Sequence, residues 1–251
     1  IQVELVKLLT SDHPEMMRNL YELGLTKVFM PEFDVMMQTP QNNKHHMYSV
    51  GEHTIRTLMN VRADKVLRLT MLLHDVAKPV CITTDEEGQD HFKKHPAVGA
   101  DMAKQILRRL KFDNKTIDCC WRLVKEHDDR PQITPKNVRR AMSRIGAGLF
   151  PMLFEVKRAD MLGQSLYKRK EKMAYIDEFE RVYNEILSDD QCVSKKDMKI
   201  NGRDLIDLGM EPGQKLGEIL DKLYEMVLDD PELNDHEKLI EHANKIISTL
   251  I

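Results

Sequence analysis

Apolar residues in this chain recur at spacings of three and four almost from end to end, while runs of alternating β-branched residues are nearly absent. That period belongs to helices with one buried face, so the chain is expected to be all-α. Hydrophobic residues make up 41% of its 251 residues, enough to fill a core in one large domain or two small ones. No stretch approaches the roughly 18 to 20 apolar residues a spanning helix needs, and no basic-then-apolar leader opens the sequence, which predicts a cytoplasmic protein without membrane contact. The first residue is Ile1 rather than Met, so the sequence reads as part of something longer.

Charge narrows the partners. With 38 Lys and Arg against 41 Asp and Glu, the net charge of -3 exerts no overall pull on nucleic acid, so any RNA contact must come from local basic patches. Two exist. Lys136, Arg139, Arg140 and Arg144 fall near one helical face, and Lys168, Arg169 and Lys170 stand together in YKRKEK; both are candidate RNA-binding clusters, with an ordinary solvated face as the alternative. The cysteines, Cys81, Cys119, Cys120 and Cys192, lack Cys-x-x-Cys spacing, so neither a zinc knuckle nor a disulfide framework is expected.

Punctuation residues place the helices. Asp12 as N-cap, Pro14 early and Gly24 just past Leu23 bracket a first helix, followed by a polar, proline-containing loop from Met30 to about Tyr48. Further helices are expected at about Val50 to Val61, Asp64 to Ala77, Pro96 to Leu110, Asn114 to Asp128, 135–145, 148–162 and 167–188, with a surface loop or short ribbon between Cys81 and His91. Pro79 should end the helix from Asp64 near Lys78, because the residue before a proline disfavours helical geometry. From Lys199 the chain changes character, with Gly202, Gly209, Gly213 and Gly217 between short apolar runs, then a final amphipathic helix from about Asn234. A boundary is expected between Ser188 and Lys199.

Several polar residues fall on faces that should be buried. Ile117, Cys120, Val124 and His127 share one face, as do Leu149, Leu153, Val156 and Asp160. A carboxylate buried alone costs several kcal/mol, so Asp160 should meet a basic side chain or a metal. His74 and Asp75 are adjacent, about 100° apart around a helix, and can grip one ion only near a terminus. His53, one helix earlier, shares a face with Val50, Thr57 and Val61 and can reach His74 across a helix hairpin. Two imidazoles and two carboxylates without thiolate suit octahedral Mn, Mg, Fe, Co or Ni better than structural zinc. A divalent ion so held activates water for attack on phosphorus. His95 and His127 are candidates for a second ion or for substrate contact. Lys78 is a candidate catalytic cation beside a bound phosphate oxygen, or a helix C-terminal charge. Each histidine taken alone is more often an ordinary core or surface residue; His45, His46 and His91 sit in expected loops and are the weakest candidates.

The set His53, His74, Asp75 and Asp160 resembles the pattern of the HD phosphohydrolase superfamily. More specifically, NKHHMYSVGEHTIRTL, LLHDVAKP, HFKKHPAVGADMAKQIL and LVKEHD resemble the HD-containing body of bacterial tRNA nucleotidyltransferases and poly(A) polymerase-like enzymes. KINGRDLIDLGMEPGQKLGEIL followed by LND is similar to their C-terminal tRNA-contacting region, and ELVKLLTSDHPEMMRNLYELGLTKVFMPE to their helical neck. The resemblance implies an HD-domain helical bundle over 48–188, flanked by a neck over 1–47 and a tail over 189–251. It also implies hydrolysis of phosphate esters, including 2',3'-cyclic phosphates of nucleotides or tRNA ends, with one or two divalent ions and tRNA as a partner. The family's nucleotide-adding head, with its Gly-Ser loop and paired carboxylates, has no counterpart here. The competing readings are a non-catalytic tRNA-binding body and an HD nucleotidase acting on free nucleotides. Pairing into a homodimer is left open.

Overall fold

The computed structural model describes residues 1–45 and 47–249; His46 lies outside them. The expected all-α architecture holds, the exception among the described residues being a two-stranded antiparallel ribbon, β1 (Thr83–Thr84) and β2 (Asp90–His91), where a short ribbon was anticipated. The chain divides into two compact units, Ile1–Arg130 with Leu149–Asp177 and Pro131–Gly148 with Glu178–Ile251. These cuts differ from the three expected segments. Leu5, Leu9, Met17, Met30 and Phe33 of the neck belong to the same core as Ile55, Leu69 and Ile106, so the first 47 residues are part of the first unit rather than a layer outside it.

Helix α1 (Gln2–Leu9), a 3₁₀ turn (Pro14–Met16) and α2 (Met17–Glu22) open the first unit. His13, not Asp12, precedes that turn, and Gly24 takes a left-handed φ of 71° just past α2, as its position suggested. Helix α3 (Thr26–Phe29) precedes the expected loop, and α4 (Pro31–Gln38) occupies its first part. Pro31 is why the stretch read as a break: it starts a helix here, where its missing N–H costs nothing. Phe33 and Met36 of α4 are fully buried.

Helix α5 (Val50–Met59) begins at Ser49, whose hydroxyl accepts from Glu52 N, and buries Val50, His53, Ile55 and Leu58. Gly51 lets α4 come close, since a Cβ there would lie 2.7 Å from the Met37 backbone. Helix α6 (Lys65–Leu73) is capped by Asp64, which accepts from Val66 N and Leu67 N, and its residues from Leu67 to Leu73 are all buried, as befits a central helix. It stops at Leu73, earlier than Pro79 alone would require. Residues 74–77 close tight turns with bonds from Val76 N to Leu73 O and from Lys78 N to Asp75 O, and Pro79 then sits in the first turn of α7 (Lys78–Cys81). Helices α8 (His95–Arg109) and α9 (Asn114–Glu126, capped by Asp113) follow, and α11 (Phe150–Gly163) completes the unit's core through Val156 and Ala159.

The second unit contains α10 (Pro135–Ile145), the later part of α12 (Arg169–Ser188), α13 (Gly202–Asp207), α14 (Gln214–Asp229) and α15 (His236–Ser248). Its tail core gathers Ile200, Leu205, Ile219, Leu223, Val227 and Leu239. Here the first basic cluster departs from expectation. Arg139 is buried, its guanidinium donating to Leu228 O at 2.8 Å, Asp229 O at 3.0 Å and Gln191 Oε1 at 2.8 Å, which satisfies carbonyls at the end of α14. Lys136 and Arg140 share the Asp229 carboxylate at 2.8 Å each. The cluster therefore ties α10 to α14, and Arg139 offers nothing to a nucleic acid. Removing it leaves buried carbonyls unmatched, so Arg139→Ala is expected to lower stability by about 2–4 kcal/mol in urea unfolding, while Lys170→Ala, at an exposed position, leaves the transition in place.

Candidate metal centre

Four imidazoles and two carboxylates from five places in the sequence meet inside the first unit. His53 comes from α5, His74 and Asp75 from the turn after α6, His95 from the first residue of α8, His127 from the residue after α9, and Asp160 from α11. His53, His74, Asp75, His95 and His127 are buried. The tight turn after Leu73 overcomes the divergence of adjacent helical positions, bringing His74 Nε2 to 3.2 Å from Asp75 Oδ2.

The two oxygens of Asp75 face two pairs of rings. Oδ2 lies 3.5 Å from His53 Nε2 and 3.2 Å from His74 Nε2, and those nitrogens are 3.3 Å apart. Oδ1 lies 3.3 Å from His95 Nε2 and 3.7 Å from His127 Nε2, themselves 3.2 Å apart. Asp160 joins the first pair, with Oδ1 2.9 Å from His53 Nε2 and 3.7 Å from His74 Nε2. His53, His74 and Asp75 form one group able to hold an ion, and Asp75, His95 and His127 another. The structure thus brings all six candidate residues together, with Asp75 belonging to both groups.

Ring orientation is set from outside. His74 Nδ1 donates to Met71 O at 2.7 Å, His95 Nδ1 to Phe92 O at 2.8 Å and His127 Nδ1 to Val124 O at 2.7 Å. A carbonyl can only accept, so each neutral ring keeps its proton on Nδ1 and turns the Nε2 lone pair inward. The His95 and His127 lone pairs, facing each other at 3.2 Å, repel unless a proton or a metal lies between them. This donor set fits a divalent cation, and outward Nδ1–H bonds to backbone carbonyls are the usual support of metal-binding histidines.

Protonation in the ligand-free state follows from the same crowding. Burial works against charge on His74, but the Asp75 and Asp160 carboxylates outweigh it and raise its pKa to about 10. Burial would raise Asp75, yet His74 and Lys78 hold it well below the usual carboxylate range. Burial lowers His127, keeping it neutral. Lys78, the candidate catalytic cation, is buried with its ammonium 2.8 Å from Asp75 Oδ2 and 2.8 Å from Gln41 Oε1. Its first effect is to hold the central carboxylate.

Sequence reasoning missed several supports. Lys157, one turn before Asp160, is buried and donates to Glu126 O, His127 O at 2.8 Å and Asp129 O, closing the carbonyls at the end of α9. Its helical spacing from Asp160 was the available signal. Gln164 donates to Asp160 Oδ2 at 3.0 Å and accepts from Lys172 at 2.6 Å. At Gly163 a Cβ would stand 2.7 Å from Thr57 Cγ2 and 3.2 Å from the His53 ring. His45, rated weak, lines two cavities of about 390 Å³ beside the cluster, and His91, paired with Asp85 at 2.6 Å, lines one of them. In the second basic cluster Lys168 lines a cavity, Arg169 donates to Leu162 O and Gln164 O, and Lys170 is exposed.

The family match now has a structural place. Residues 97–243 match the family model for tRNA nucleotidyltransferase domain 2, and residues 1–37 match that for the RNA and SrmB-binding site of polymerase A. The chain belongs to the tRNA nucleotidyltransferase domain 2 family. It is 29% identical to the CC-adding tRNA nucleotidyltransferase of Thermus thermophilus over 90% of this chain and 51% of that protein. It is 31% identical to the A-adding tRNA nucleotidyltransferase of Deinococcus radiodurans over 82% of this chain and 48% of that protein. A bifunctional uridylyltransferase/uridylyl-removing enzyme of Ruegeria pomeroyi is 30% identical over 48% of this chain but 14% of its own length. The chain spans about half the length of the first two relatives. Among the described residues no helix is long and apolar enough to cross a membrane.

Two outcomes are expected. Gly163→Ala forces a methyl against Thr57 and His53, and should lower thermal stability by about 1–3 kcal/mol, the usual cost of overpacking. His74, with its pKa raised from 6.5 to about 10, stabilises the ligand-free fold fully below pH 6.5 and loses that contribution as pH climbs towards 10. Chelator-treated protein should therefore melt at falling temperatures across that window in calorimetry, and His74→Gln should flatten the decline.

Proposed function

We infer that this chain is a metal-dependent phosphohydrolase acting on phosphate esters of nucleotides or of tRNA ends. The observation that carries the reading is the inward convergence of buried imidazole nitrogens on the two oxygens of Asp75, with His74, His95 and His127 held by outward Nδ1–H bonds. His53, His74, Asp75 and Asp160 would hold one ion, and Asp75, His95 and His127 a second. A bound divalent ion would supply Lewis acidity towards a phosphoryl oxygen and a water of lowered pKa.

The chain's own groups set the conditions for that chemistry. Burial of the cluster keeps bulk water from screening it. Lys78 and Gln41 keep Asp75 oriented, and Gln164 fixes the second oxygen of Asp160. Asp160 and His127 line two open cavities, so a phosphate ester can reach the cluster from solvent. On a 2',3'-cyclic phosphate, hydrolysis adds the water's hydroxyl to phosphorus and its proton to the departing ribose oxygen, opening the ring to a monoester.

A second reading has its own support. The match over residues 97–243 and the tRNA-directed names of the relatives favour a body that binds tRNA for nucleotide addition carried out elsewhere in a longer protein. The readings separate cleanly. With Mn, Ni or Mg added, the purified chain should carry metal by elemental analysis and release monoester from 2',3'-cyclic nucleotides. Asp75→Ala should lose both, activity falling by more than the ~10–100-fold that outer partners of a metal site contribute. A protein without metal or turnover in every ion, whose salt-sensitive tRNA affinity survives Asp75→Ala, would leave the binding body as its role.

A further inference from the structure

The His/Asp cluster borders two cavities of about 390 Å³ that share His45, His127, Arg130, Asp160 and Gln164 in their walls. Their other linings differ. One is walled by Asp75, Lys78 and His95 together with Gln89 and the ribbon's Asp90 and His91. The other is walled by Lys168, in the turn just before α12, and by Lys172 and Tyr175 of the first two turns of α12, whose spacing of three puts them on one helical face. None of these three residues serves the candidate metal centre directly.

Cations outnumber carboxylates in this second cavity. Arg130, Lys168 and Lys172 line it with Glu171 and Asp160 as the acidic groups, and Asp160 already faces His53 and His74. The cations converge. His45, on the same wall, is held below its usual pKa by burial and then by the nearness of Lys172, Arg130 and Lys168. Their local acidic neighbours are weak partners: Lys168 is 3.8 Å from Glu171, and Arg130 pairs with Asp128 at an exposed position. Lys172 is bonded to the neutral Gln164, not to a carboxylate. Like charges gathered around an open cavity repel one another, and an anion entering it relieves that repulsion.

We propose that Arg130, Lys168 and Lys172 form a subsite for a second phosphate of the substrate, beside the phosphate that reacts at the His/Asp cluster. The substrate class is then a nucleotide carrying two separate phosphates, or a polynucleotide end whose neighbouring phosphodiester fills the subsite, in preference to a singly phosphorylated nucleoside. Met161, Tyr175 and Ile176 give the same cavity an apolar wall for a sugar or base. This assignment rests on the phosphohydrolase reading for its kinetic test but not for its binding test.

The experiment compares three substrates on the metal-loaded chain: adenosine 2',3'-cyclic phosphate, the same compound with a 5'-phosphate, and a short oligoribonucleotide ending in a 2',3'-cyclic phosphate. The second phosphate should lower KM about tenfold, the scale of one charge-assisted contact, and the KM ratio should collapse towards one in Lys168→Ala/Lys172→Ala. Lys168→Ala alone, at an exposed position, should shrink the ratio with the fold intact by circular dichroism. A gain with the oligonucleotide alone identifies the subsite with the next phosphodiester of a strand; a gain with both identifies it with any second phosphate. Equal KM for all three overturns the subsite and leaves the hydrolase standing. If no substrate turns over, the hydrolase reading fails, and calorimetry with adenosine 3',5'-bisphosphate decides the subsite: affinity lost in the double variant supports it, and affinity unchanged overturns it.

Discussion

Everything in the first unit is arranged around one carboxylate. Asp75 is buried, ionised and flanked by a buried ammonium, and its two oxygens face two pairs of imidazole nitrogens. A buried charge survives only where its surroundings replace water, and here five chain segments converge to do so. The turn after α6 serves that residue: where the α-helical ladder gives way to tighter i+3 turns, the backbone presents His74 and Asp75 to the same space. The glycine at 163 and the lysine at 157 follow from the same demand, one admitting α11 close to His53 and the other fixing the carbonyls beside His127.

This arrangement also explains which parts of the molecule were legible in the sequence. Helical periodicity located α5, α6, α8, α9, α10, α11 and α12 to within a few residues, because each buries an apolar face whose spacing is visible without tertiary information. His127 and Asp160 stood out for the same reason, as polar residues in apolar stripes. The segment from Thr26 to Gln38 was harder to read, since its helices are short and Pro31 looks like a break when it is in fact a helix start.

Arg139 and Arg169 illustrate a different limit. Both belong to basic clusters whose spacing suggests an exposed face, and both spend their guanidinium groups on backbone carbonyls at helix ends. Sequence reveals charge but not where the carbonyls of a distant helix end will lie, so a structural arginine and a ligand-binding arginine look alike. Lys157 is the converse case, a lysine within an apolar helix whose acceptors lie some thirty positions earlier in the chain. Gln164 carried no signal at all, its role being defined by two partners that only the folded chain supplies.

The chain passes from the first unit to the second after Arg130, returns at Leu149 and leaves again after Asp177. Neither unit is made of one continuous stretch. For a protein emerging from a ribosome this imposes an order of events. His53 and Asp160 are separated by 107 positions, which at about 5–20 residues per second take on the order of 5–20 s to synthesise. Late in that interval Asp75 and its histidines have been made but the last carboxylate and Lys157 have not, and residues 131–148 wait for the remainder of their own unit. The nascent chain therefore carries a half-built, strongly charged core for seconds, and the closure of α11 onto α5 is the event that ends its exposure.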